Sequence, residues 1–436
     1  MQQKDHTNTG FHGLGIAPGL LETLEKLQFK APTPIQVQAI PMAIQGKDIV
    51  GIAQTGTGKT LAFCIPMLQR LAQVKGQGLV VLPTRELVLQ VDEVFRKIGS
   101  GIHIRTAVLI GGTAIGPQVQ ALSRKPLVIL ATPGRLLDHL KQKHLRLDTI
   151  RVAVLDEADR MLDMGFLPQI RDIFKALPDE RQTLLFSATM PPEIMKIAAA
   201  CMKLPVRVEI APAGTVSERV TQELFIVPKE QKINLLGKLL MDSQGPALVF
   251  TRTKHGAQKV VRHIRDFGIR AAEIHSNRSL QQRREALEGF KSGRYRVLVA
   301  TDIASRGIDV VGIEWVINYD LPATSSDYVH RIGRTARASA SGHAITFALS
   351  DQKREIQAIE RVIRQSLLVS KLPDLPPPPP RISESRPSDR PQQMPKPRAY
   401  RPDRTRQYPR STSGSGRSGK AYPRDHRTRD TKEPQG

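Results

Sequence analysis

The junction that most constrains this 436-residue chain is Gly56-Thr57-Gly58-Lys59-Thr60, which directly follows the apolar stretch Asp48-Ile49-Val50-Gly51-Ile52. A strand that turns through glycines straight into a helix belongs to a parallel sheet with helices packed over it. Asp156-Glu157-Ala158-Asp159 follows a second apolar stretch, Arg151-Val152-Ala153-Val154-Leu155, in the same way. Further strand-like runs at 78–82, 106–110, 126–131 and 182–187 alternate with helical patterns. Near-continuous apolar strands of this kind imply a parallel sheet buried on both faces.

A second series starts near residue 217, with strands at 246–250, 295–300, 315–319 and 342–347 and a closing helical stretch at 351–368. Between the two series lies Ala211-Pro212-Ala213-Gly214, which reads as a linker. The chain is too long for one ordinary core. The expected division is therefore an α/β domain over 1–210, a linker at 211–216, a second α/β domain over 217–370 and a tail at 371–436. Prolines 376–380 open that tail, and Pro, Arg, Ser and Gly dominate it. Such a composition buries too little apolar surface to fold, so disorder is expected.

The formal charge is +24. Residues 371–436 hold 16 Lys and Arg against 7 Asp and Glu, so the folded part carries most of the excess. A polyanionic partner follows, nucleic acid first and an anionic membrane surface second. No apolar run is long enough to span a bilayer, and Met1-Gln2-Gln3-Lys4-Asp5-His6 has no secretory apolar core. Cys64 and Cys201 have neither zinc nor disulfide spacing and read as reduced thiols of a cytoplasmic protein.

The Gly-x-Gly-Lys-Thr turn suits a phosphate cradle at a helix N-terminus. Thr55, Gly56, Thr57 and Gly58 would line it, Lys59 would reach the β- and γ-phosphates, and Thr60 would ligate Mg2+. Asp156 would hold the same Mg2+ through water, and Glu157 would orient the attacking water. His330-Arg331-Ile332-Gly333-Arg334-Thr335-Ala336-Arg337 places three arginines along one side of a helix. Arg334 and Arg337 are candidate arginine fingers, and the rival reading is a basic helix on nucleic acid.

With these motifs the chain resembles the DEAD-box ATP-dependent RNA helicases of superfamily 2 over residues 11–365. Asp156-Glu157-Ala158-Asp159 matches the run that names the family. The resemblance implies two RecA-like domains, ATP and Mg2+ as ligands, and RNA bound through its backbone with little sequence preference. Phe29-Lys30-Ala31-Pro32-Thr33-Pro34-Ile35-Gln36 looks like the family's adenine-reading motif, with Phe29 stacking on the base and Gln36 bonding its edge. Ser187-Ala188-Thr189 resembles the motif that couples ATP to RNA, and Asp159 and His330 join that coupling set. Pro83-Thr84-Arg85, Gly111-Gly112 and Thr132-Pro133-Gly134-Arg135 resemble first-domain RNA motifs, so Pro83, Thr84, Arg85, Gly112, Thr132 and Arg135 are expected on RNA. In the second domain, Arg252, Arg283, Thr301 and Arg306 are expected on RNA and Asp309 on the ribose.

Two positions depart from the family pattern. Ala336 stands where the arginine motif has its last glycine. Alanine tolerates helical geometry better than glycine, so retained function with altered finger placement is expected. Leu280 stands where a Gln-x-x-Arg pattern has its glutamine, leaving Arg283 for RNA. Ile274-His275-Ser276-Asn277-Arg278-Ser279, the compact core and the basic extension look most like the bacterial RhlE-type subgroup. Two rival readings remain: a DNA helicase or translocase of the same superfamily, and a non-catalytic RNA clamp or annealing factor whose tail carries the affinity.

Overall fold

The computed structural model describes residues 10–54, 56–210, 220–302, 310, 312–336 and 341–375. The expected linker and most of the expected tail lie outside these residues. Two parallel sheets organise the chain. The first comprises β1 (Ile49–Ile52), β2 (Gln77–Val81), β3 (Thr106–Leu109), β4 (Val128–Ala131), β5 (Ile150–Asp156), β6 (Gln182–Ser187) and β7 (Val206–Glu209), in the order β3-β4-β2-β5-β6-β1-β7. The second comprises β8 (Val220–Ile226), β9 (Ala247–Phe250), β10 (Ala271–Ile274), β11 (Val297–Ala300), β12 (Trp315–Asn318), β13 (Gly342–Ala348) and β14 (Leu368–Val369), in the order β10-β11-β9-β12-β13-β8-β14.

Successive side chains of a strand point to opposite faces, so a doubly covered strand must be apolar at every position. In β5, Val152 and Val154 enter the core beneath the helices Pro34–Ile44, Lys59–Gln73 and Arg85–Ile98. Ala153 and Leu155 enter the opposite core beneath Leu167–Ala176 and Pro192–Cys201. The second sheet repeats this: Val249 and Val299 face one layer, Leu248 and Leu298 the other.

Parallel register sets the position of the site. Ile52 of β1 pairs with Ser187 of β6, and Asp156 of β5 pairs with Phe186. The carboxyl ends of β1, β5 and β6 therefore lie side by side, where open α/β sheets bind ligands. The packed part of the second domain also passes residue 370, since Leu372 and Leu375 rest against its core.

Candidate active site

β1 delivers the chain into a loop where Gly56 has φ 88° and Gly58 has φ 91°. A side chain at Gly58 would collide with Gln36 as well as strain the left-handed backbone. Gly58 then starts the helix Lys59–Gln73, whose N-terminus faces the loop. Lys59 is buried and donates from Nζ to the Ala53 carbonyl at 2.9 Å, and Thr57 Oγ1 donates to the Gln54 carbonyl at 2.8 Å. The loop thus brings an ammonium beside helix-terminal amides, which is anion-binding chemistry. Thr55 lies outside the described residues.

Gln36 links this loop to the preceding helix. Its Oε1 accepts the Thr33 N–H at 2.9 Å, and its Nε2 donates to the Gly58 carbonyl at 3.0 Å. An amide has two donor hydrogens and two acceptor lone pairs, so one of each is left over. That remainder matches the donor and acceptor on an adenine edge. Phe29 is 40% exposed, unusual for a large aromatic and compatible with stacking on a base.

The acidic wall comes from the end of β5. Asp156 accepts the Glu157 N–H at 2.9 Å. Burial, then the neighbouring Glu157 charge, push its carboxyl up to about 7 against the pull of Lys59. Glu157 has φ 56°, a left-handed conformation costly for a side-chain-bearing residue and one that collects at functional sites. Burial would raise the Glu157 carboxyl, but Arg160, Lys59 and Arg334 outweigh it and hold it below the usual range. Arg160 supplies the contact, donating to Glu157 Oε2 at 2.7 Å. The donor set fits Mg2+: Asp156 and Thr60 offer hard oxygens, and among the described residues no three His, Cys, Asp or Glu converge to cage an ion. A site of one or two protein oxygens suits Mg2+ bound largely through phosphates and water.

Asp159 connects this wall to β6. Its N–H donates to Ser187 Oγ at 3.1 Å, and its Oδ2 accepts the Thr189 amide at 2.8 Å and the Thr189 hydroxyl at 3.0 Å. The same Oδ2 lies 3.8 Å from His330 Nε2, on the second domain's helix Ser325–Ile332. Arg334 follows that helix, is buried, and projects its charge onto Glu157.

The arginine motif departs from its expected geometry. The helix ends at Ile332, so Arg331 and Arg334 do not share one helical side. Arg331 turns into its own domain, bonding Asp302 at 2.6 and 2.7 Å, Asn318 at 3.0 Å and the Asp320 carbonyl at 2.7 Å, over the Phe250 ring. Ala336 is not helical but left-handed, with φ 54°, so the preference for alanine over glycine reverses. Arg337, Arg306 and Asp309 lie outside the described residues.

The expected RNA residues also gather at strand ends. Pro83 and Thr84 are buried after β2, and Thr84 Oγ1 caps the helix Arg85–Ile98 by accepting from Leu87 at 3.3 Å. The Arg85 guanidinium lies over Gly112, whose φ of 72° and missing side chain make room for it. Thr132 follows β4, and Arg135 donates twice to the Thr113 carbonyl at 3.2 Å. After β9, Arg252 donates its amide to Asp320 at 3.0 Å, and after β11 the Thr301 amide donates to the Ile274 carbonyl at 3.2 Å. Arg283 breaks the pattern, since it pairs with Glu86 of the first domain at 2.8 Å. Arg160, Glu86 and Asp302 were not among the expected residues. Arg160 had a local signal, lying one helical turn after Glu157.

Residues 33–197 match the DEAD/DEAH box helicase family, and residues 231–339 match the helicase conserved C-terminal domain. The chain is 44% identical over 349 residues to the ATP-dependent rRNA helicase RRP3 of Yarrowia lipolytica, covering 79% of this chain and 72% of that one. The chain belongs to the DEAD-box RNA helicases. It is also 42% identical to the DEAD-box ATP-dependent RNA helicase CshA of Bacillus cereus, across 82% of this chain and 69% of the relative. Its fold matches S. cerevisiae Dbp5 bound to RNA and ADP BeF3, with a TM-score of 0.75 and 29% identity over 83% of this chain and 95% of that one. Mss116p bound to ssRNA and AMP-PNP gives a TM-score of 0.76 at 25% identity, over 85% of this chain and 81% of that one. As a DEAD-box helicase the chain has two RecA-like domains, uses ATP and acts on RNA. Among its described residues no helix is long and apolar enough to cross a membrane.

Proposed function

We propose that this helicase couples hydrolysis to RNA through the 3.8 Å approach of His330 to Asp159. Asp159 holds Ser187 and Thr189 on one side and meets the second domain on the other, so the nucleotide wall and domain closure move together. Phe29 and Gln36 select adenine, and Asp309 meets the ribose. Gly56, Gly58 and the helix N-terminus cradle the phosphates, with Thr55 and Thr57 beside them. Lys59 leaves the Ala53 carbonyl for the β- and γ-phosphates, and Arg334 and Arg337 bring positive charge to the γ-phosphate from across the cleft.

Mg2+, held by Thr60 and Asp156, would neutralise charge on the phosphate oxygens. Glu157 is a weak base while Arg160 holds its carboxyl low, so it positions water as a hydrogen-bond acceptor rather than stripping its proton beforehand. Pro83, Thr84, Arg85, Gly112, Thr132, Arg135, Arg252, Thr301 and Arg306 follow the RNA backbone, which positions a strand without reading its sequence. ATP and RNA favour the same closed arrangement, so each raises the affinity for the other. We place the protein in the cytoplasm and in the RhlE-type subgroup; the 274–279 run and the basic extension support the subgroup.

Steady-state ATPase activity should be measured without polymer, with single-stranded RNA and with DNA of equal sequence. Stimulation by RNA alone, lost in Glu157→Gln, is the expected result. Equal stimulation by DNA would make the protein a general nucleic-acid motor, and no hydrolysis at all would leave an RNA clamp. If residues 376–436 contact phosphates, their removal should flatten the salt dependence of RNA binding.

A further inference from the structure

Leu280 opens the helix Leu280–Lys291 of the second domain, yet it packs against the first domain's apolar core, the cluster containing Val88, Val91 and Phe95. One turn later Arg283 reaches Glu86 at 2.8 Å, with side chains only 13% and 12% exposed. Further along the facing helices, Glu93 is held low first by its bond to Lys97 and then by the fields of Lys291 and Arg284. The neighbouring glutamines do not replace the missing polar group. Gln282 is spent on the helix cap, bonding Ser279 at 3.0 and 3.2 Å, and Gln281 is exposed.

We propose that Leu280 is a positioning residue for hydrolysis, an apolar clasp that holds the two domains together without RNA. A polar side chain here would leave closure to ion pairs and RNA, whereas leucine adds a contact that salt does not screen. The inference rests on the ATPase reading, and deepens it by making closure of this chain partly RNA-independent.

The test compares Leu280→Gln, Leu280→Ala and Leu280→Met with the parent protein. RNA-free ATPase should fall, and the RNA needed for half-maximal stimulation should rise, by about fivefold in the Gln and Ala variants. The rate at saturating RNA should hold, because RNA then drives closure. Met should restore both values, since it keeps apolar volume. The Leu280→Ala effect should be equal at low and high salt, whereas that of Glu86→Gln should shrink as salt rises. Fluorescence energy transfer between one label in each domain should show fewer closed molecules with an ATP analogue alone. Unchanged half-saturation in Leu280→Gln, or tighter RNA use by it, would overturn the clasp. Loss of rate at saturating RNA, unrescued by Met, would overturn it too. An inactive parent protein would count against the ATPase reading, and the energy-transfer comparison would still judge the clasp.

Discussion

Arg160 Nη1 donates to Glu157 Oε2 at 2.7 Å, with side chains only 1% and 4% exposed. A buried carboxylate is tolerated only with a counter-charge in place, and removing one partner of such a pair costs about 3–5 kcal/mol. Arg160→Met should therefore destabilise the protein by roughly that amount in denaturant unfolding, besides slowing ATP hydrolysis. Most of the stability loss should vanish in a Glu157→Gln background, because a neutral amide needs no cation beside it. Strictly additive losses across the double-mutant cycle would show that Arg160 acts through packing instead.

Arg331 and Arg334 lie in one short run but should fail in different ways. Arg331 binds Asp302, Asn318 and the Asp320 carbonyl inside its own domain. Arg331→Met should lower the melting temperature, because it removes the contacts to Asp302, Asn318 and the Asp320 carbonyl together. Arg334 acts on the Glu157 side of the cleft, and Arg334→Met should cut the maximal hydrolysis rate by about a thousandfold or more while ATP binding persists. Comparable melting losses with full hydrolysis in both variants would refute the division.

Ala336 adopts φ 54°, where a Cβ is strained and glycine is not. Gly342 packs so closely behind it that a side chain there would meet Thr335 and the Ala336 amide. Ala336→Gly should stabilise the second domain by about 1 kcal/mol, visible as a melting shift of a few degrees. A melting temperature unchanged or lowered by Ala336→Gly would mean that the turn relaxes when its residue changes.

The two sheets were legible because their central strands are apolar at every position, as Val152, Ala153, Val154 and Leu155 show. The unforeseen strands lie mostly at sheet edges. β7 and β14 leave residues exposed, and β10 reads Ala-Ala-Glu-Ile, with little β-branched signal. The glycine loop and Asp156-Glu157 stand out in the sequence as site candidates because each chemical group follows a strand directly. Relations between distant segments were not: nothing near Arg283 names Glu86, and nothing near Arg331 names Asp302. Ala336 misled for a simpler reason. Helix propensity applies only where the backbone is helical, and the helix had already ended at Ile332.

His330 gives closure a pH dependence of definite sign. Its charged neighbours are Asp159, Glu157 and Arg160 across the contact and Arg334 in its own domain, and burial first, then Arg160, push its imidazole down to about 4. A solvent-exposed histidine titrates near about 6.5, so the open or unfolded protein takes up a proton well before the closed one. Closed-state stability from this group is therefore fully present above about pH 6.5 and is lost as pH falls towards about 4. Asp156, pushed up to about 7, works in the opposite sense, losing its contribution as pH rises from the ordinary carboxylate range to that value. Comparing the parent with His330→Gln at each pH cancels the Asp156 term. The parent's RNA-stimulated ATPase should fall relative to the variant's below about pH 6.5, by up to about tenfold per unit where the slope is steepest. A ratio that stays flat from pH 5 to 8, on the order of the range spanned by an unperturbed histidine, would show that His330 does not carry its proton balance into closure.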